Sequence, residues 1–148
     1  MAVQSYDSRC IALSQLETAL RLYSERDDFF SAITLAGNAD EVFGKILRAK
    51  GIKNSLDELK KSVAAVHRHL FGEELSASVV ADRANRARNA IKHGIGKTLI
   101  VTLDAEEEAR DMLNRAIGNY WALEKQLTPA MEQFQRELRQ PRHAPRTA

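Results

Sequence analysis

Apolar residues recur at three- and four-residue spacing along nearly the whole chain, and this period restricts its fold more than any other feature. Leu13, Leu16, Leu20 and Tyr23 repeat this way and predict a helix over 8–26. Phe29, Ile33, Ala36, Phe43 and Leu47 mark one face of a second helix, with Gly51 as its stop. The connection between the two is short, so they should form an antiparallel hairpin. A third helix starts at Ser55, where Ser-Leu-Asp-Glu reads as a capping box with Glu58 reaching back, and Leu59, Val63, Val66 and Leu70 should face inward until Gly72. A fourth covers about 77–93, with Val80, Ala84, Ala87 and Ile91 as a narrow apolar stripe. Asp104 opens a fifth, with Glu107 three residues on, and Ala109, Met112, Ala116, Tyr120 and Leu123 should point inward. Thr128 and Pro129 read as an N-cap and a first-turn proline, so a kink or a separate short helix should run to about 139. Only "TLIVTL", 98–103, reads as extended. The expected class is all-α: an antiparallel bundle of about five helices with a short extended connection.

A chain of 148 residues is most economically one domain, here expected over 1–139. Its end, 140–148, carries two prolines and no large apolar side chain, and is expected to be a disordered basic tail. The single cysteine, Cys10, excludes an internal disulfide framework. The polar start lacks a secretory apolar stretch and no run reaches the ~18–20 apolar residues of a membrane helix, so the expectation is a cytoplasmic protein without a membrane partner. In each of the pairs Phe29–Phe30 and Tyr120–Trp121, adjacent residues point in two directions, so one member of each is a candidate for a subunit contact.

A net charge of +2 does not by itself imply nucleic acid, but its distribution is uneven. Between 78 and 100 stand Arg83, Arg86, Arg88, Lys92 and Lys97 against one acid, Asp82. Arg83, Arg86, Lys92 and Lys97 are the candidate RNA-contacting cations, and a solvated helix face is the plainer explanation of the same run.

The segment "NRARNAIKHGIGKT", 85–98, contains two patterns that could handle phosphate. A Walker loop needs a first glycine at position 91, which is Ile91, and it should follow a strand and open a helix. Both requirements fail, so Gly94 and Gly96 read as a helix stop and a turn. The other pattern is an arginine followed by a histidine. An R-x(4–6)-H match is expected about once by chance with 14 arginines and 4 histidines, so its context must decide. Asn85, Asn89 and His93 are four apart and form one polar stripe, with Arg88 beside it. Histidine exchanges protons near neutral pH, arginine offers a planar fork to phosphoryl oxygens, and Asn89 could orient the imidazole. Such a set can cleave RNA by attack of a ribose 2′-hydroxyl on the adjacent phosphate, with no metal or other cofactor required. Lys92, His93 and Gly94 are also what a plain helix C-terminus would carry, but asparagines inside a helix are not.

In these residues the chain resembles the HEPN superfamily, the higher eukaryote and prokaryote nucleotide-binding domains. The resemblance spans roughly residues 10–125 and lies in "LETALRLYSERDDFFSAITLAGNADEVFGKIL" and in "RNAIKH", which is similar to the R-N-x-x-x-H signature. It implies a helical domain that forms a homodimer and brings two motifs to one cleft, in many members a metal-independent endoribonuclease leaving a 2′,3′-cyclic phosphate. Arg88 and His93 would then be the catalytic pair and Asn89 the polar residue after the arginine. A polar residue of the second helix, Asp40 or Glu41, would support the site, as would Asn85. Ile95 stands where several toxin members have tyrosine, which argues against a modification-controlled toxin–antitoxin partnership. Two alternatives of other classes stay open: a non-catalytic helical interaction or toxin–antitoxin-type module with a protein partner, and a helical domain in which "RNAIKH" only stabilises its own helix.

Overall fold

The computed structural model describes residues 2–94 and 100–140, so Gly96, Lys97, the start of the expected extended stretch and the tail 141–148 lie outside the described residues. Within them there are seven helices and no strand, and residues 100–103 take no regular structure. The helices are α1 (Ser8–Ser24), α2 (Phe29–Ala49), α3 (Ser55–Phe71), α4 (Ala77–Ala84), α5 (Arg86–His93), α6 (Ala105–Glu124) and α7 (Pro129–Arg139). None is long and apolar enough to cross a membrane.

The all-α class is as expected, and several helix starts follow the sequence signals. Asp104 accepts from the Glu107 backbone N–H at 3.0 Å, and Thr128 caps a separate α7 with Pro129 in its first turn. Asp7 and Asp28 cap α1 and α2 in the same way. The core forms where the apolar faces of α1, α2, α6 and α7 meet: Leu16, Leu20, Ile33, Phe43, Leu113, Ile117, Met131 and Phe134 are all buried. Phe43 meets Tyr120 edge-on, with ring centroids 5.6 Å apart. Arg26, in the α1–α2 turn, clasps Glu106 of α6 with two hydrogen bonds of 2.9 and 2.8 Å.

Three expectations are corrected. The cap of α3 is Asn54, whose side chain accepts from the Asp57 N–H at 2.9 Å; Ser55 is already helical and donates its hydroxyl to the Arg115 carbonyl at 3.0 Å. The apolar stripe of α3 does not face a core, since no residue of that helix is buried and Val66, Leu70 and Phe71 are 58%, 65% and 66% exposed. Amphipathic period assigns an apolar face, but α1, α2, α6 and α7 already close the core among themselves. The helix expected over 77–93 is two helices, broken at Asn85, where φ is −104° and ψ 3°. The count of about five therefore becomes seven. Of the two aromatic pairs, Tyr120 is buried and Phe29 half-buried, while Trp121 and Phe30 are about half exposed.

Candidate functional site

The break at Asn85 is imposed by a side chain thirty residues further on. The Arg115 guanidinium donates one nitrogen to the Ala84 carbonyl at 2.9 Å and to Asn85 Oδ1 at 3.1 Å. A donor inserted into a backbone ladder is a recognised cause of helix interruption. The other Arg115 nitrogen binds Asp40 Oδ2 at 2.6 Å, and Asn119 donates to Asp40 Oδ1 at 2.9 Å and to its carbonyl at 3.2 Å. Asn119 Oδ1 in turn accepts from the Ser55 N–H at 2.7 Å. A polar spine thus joins α2, the start of α3, the α4–α5 junction and α6. Burial pushes the Asp40 carboxyl up from its ordinary value, against the pull of Arg115. Arg115 Nε is buried with no acceptor among the described residues.

Next to this spine, Arg88 donates to Glu41 Oε2 at 2.7 Å, and Lys45 reaches Glu41 Oε1 at 2.8 Å. The two donors, Lys45 first, hold the Glu41 carboxyl down at about 2. The stem of Arg88 lies on Gly37 so closely that a Cβ there would stand 2.5 Å from its Cδ. Glycine at 37 is therefore a requirement of the arginine's position, and the Arg88 side chain is only 18% exposed. Asp40, Glu41, Lys45, Arg48, Asn54, Asn85, Arg88, Arg115 and Asn119, with Gly44 and Leu56, line a cleft of about 310 Å³.

Of the residues chosen from sequence, the cleft therefore gathers Arg88, Asn85, Asp40 and Glu41. Asn89, Lys92 and His93 are exposed on α5 outside it, and neither the Asn89 nor the His93 side chain has a hydrogen-bond partner among the described residues. Asn85 leaves the expected polar stripe, because its carboxamide turns to Arg115. At ~100° per residue, Arg88 and His93 stand roughly 140° apart around α5, so one chain does not bring them to a common point. Arg86 is exposed, and Arg83 borders a separate hollow between α3 and α4. Lys97 lies outside the described residues. Among the described residues no group of three His, Cys, Asp or Glu side chains could hold a metal ion.

Sequence reasoning missed Arg115, Asn119, Asn54, Lys45 and Arg48. For the first two a signal existed: Asp40 interrupts the Ala36–Phe43 face of α2, as Arg115 and Asn119 interrupt the Met112–Ala116–Tyr120 face of α6. Polar residues at core phase on two helices should be each other's partners. Set against protein-family models, curated proteins and solved structures, the chain matches none of them.

Proposed function

We propose that the chain is a HEPN-like RNA-binding protein that acts as a homodimer and cleaves RNA without a metal, with Arg88 and His93 as the reacting pair. The observation that supports this most is the placement of Arg88. A side chain that ordinarily roams is fixed at the edge of a cleft by Glu41 and by contact with Gly37, with Lys92 and His93 open on the same helix. In this reading His93, which a second copy must bring toward Arg88, takes the proton from a ribose 2′-hydroxyl. The freed oxygen attacks the adjacent phosphorus, the bond to the following nucleotide's 5′-oxygen breaks as that oxygen takes the proton back from the imidazolium, and a 2′,3′-cyclic phosphate and a 5′-hydroxyl result. Arg88 holds the phosphoryl oxygens as their charge grows.

The test is cleavage of a mixed RNA pool in chelator, with end-group analysis of the products. His93→Ala and Arg88→Ala should each reduce the rate by about 100-fold or more. Both should stay folded, since His93 is exposed and the partly exposed Arg88–Glu41 pair contributes at most ~1 kcal/mol. If the wild type cuts nothing, the enzymatic part of the proposal is lost. The outcome that remains is the non-catalytic interaction module, favoured by the same Glu41, which already neutralises Arg88.

Self-association has its own support in the uncovered α3 face, because a run of large apolar side chains more than half exposed marks a contact surface. Sedimentation at micromolar concentration should show a dimer, and Val66→Asp with Leu70→Asp should yield a folded monomer. A monomeric wild type would remove the homodimer from the proposal.

A further inference from the structure

Counting donors and acceptors in the cleft shows what it lacks. Both oxygens of Asp40 are taken, by Asn119 and Arg115, and both of Glu41 by Lys45 and Arg88. Three carboxamides are fixed in orientation by the donors they face. Asn54 Oδ1 receives the Asp57 N–H, Asn85 Oδ1 receives Arg115, and Asn119 Oδ1 receives the Ser55 N–H. Asn119 spends its amide on Asp40, but the amides of Asn54 and Asn85 meet no acceptor among the described residues. Both asparagines line the cleft, Asn54 as one of the buried polar residues of the chain. Arg48 adds a guanidinium whose nearest carboxylate, Asp57, is 3.6 Å away and outside hydrogen-bond range. The first turn of α3 enters the same wall through Leu56. The lining thus holds four cations against two carboxylates, has unused donors, and offers no unused side-chain carboxylate oxygen.

We propose that this cleft is a nucleotide phosphate subsite, in which the Asn54 and Asn85 amides and Arg48 donate to the non-bridging oxygens of one phosphate. Its volume of about 310 Å³ is at the small end of ligand pockets and suits a single nucleotide unit. A surplus of donors selects an acceptor-rich anion, and phosphate presents several non-bridging oxygens to such donors. The subsite rests on the RNA-binding reading for the nature of its ligand, but not on His93 or on cleavage.

The two asparagines allow a near-isosteric test. Asn54→Asp keeps the oxygen that caps α3, because aspartate is an equally good N-cap, and Asn85→Asp keeps the oxygen that Arg115 binds. Each exchanges the free amide for an anionic oxygen where the phosphate would sit. Asn54→Ser keeps a cap oxygen, removes the amide and adds no charge. Calorimetry with uridine 5′-monophosphate, and fluorescence anisotropy with a labelled twelve-nucleotide RNA, separate a free nucleotide from an internal phosphodiester. Binding of either probe to the wild type is expected, weakened about tenfold or more in both aspartate variants and severalfold in Asn54→Ser, with each variant still folded by circular dichroism. Failure of the wild type to bind either probe, or unchanged affinity in the aspartate variants, overturns the subsite. Nucleotide binding lost in the aspartate variants while no RNA is cut would leave the subsite standing and remove the ribonuclease. His93-dependent cleavage with unaltered binding in both aspartate variants would do the reverse.

Discussion

Asp40→Ala is expected to destabilise the fold by about 3–5 kcal/mol, the usual cost of leaving one buried charge without its partner. The Arg115 and Asp40 side chains are 11% and 8% exposed, so water reaches neither freely. Truncating Asp40 leaves the guanidinium without its carboxylate, its Nε already lacking an acceptor, and takes from Asn119 one of its two acceptors, the Asp40 carbonyl remaining. Urea unfolding followed by circular dichroism gives the difference directly. Asp40→Asn should cost less, since a carbonyl oxygen remains for one of the two donors. Replacing both members by apolar residues of similar volume, Asp40→Leu with Arg115→Met, should recover much of the loss. A loss below about 1 kcal/mol in Asp40→Ala would mean that the guanidinium finds water instead, and that the spine does not hold α6 to α2.

Phe43→Ala should cost a similar ~3–5 kcal/mol by a different route. Its ring is 1% exposed between α2 and α6 and meets Tyr120 edge-on at 5.6 Å, so truncation removes apolar burial, the aromatic contact and packing at once. The melting temperature should fall by roughly 6–20 °C for a domain of this size. Phe43→Leu, which keeps most of the volume, should lose clearly less. Equal losses in the two variants would show that the cavity does not govern the cost.

Phe43 and the spine around Asp40 differ in how far the sequence discloses them. Phe43 was legible: it sits at helical spacing from Ile33, Ala36 and Leu47, and all four are buried. The caps at Asp104 and Thr128 were legible for the same reason, because each acts on a residue three positions away. The break at Asn85 was not, since its cause is Arg115, on another helix and thirty residues distant. The exposure of α3 was hidden too. Its pattern is as amphipathic as that of a core helix, and only the closed packing of the other helices decides that no core is left for it. The sequence points to Arg88, and the resemblance offers Asp40 or Glu41 beside it; that Glu41 is the one that fixes the arginine was not legible, as Glu41 and Lys45 look like an ordinary surface pair at i and i+4.

The polar character of the spine also determines how the molecule comes apart. The α3–α4 pair meets the bundle through Ser55, Asn119, the Arg115 guanidinium, the Arg48–Asp57 ion pair and one buried valine, Val80, whereas α1, α2, α6 and α7 are joined by a continuous apolar interior. Water can take over each of those hydrogen bonds when the pair lifts away, but it cannot take over the contacts around Phe43. Amide hydrogen exchange is therefore expected to be faster in α3 and α4 than in the core helices α1, α2 and α6. Because Asn54 and Leu56 line the cleft together with Arg115 and Asn119 of α6, a ligand seated in it would touch both regions and should slow that exchange.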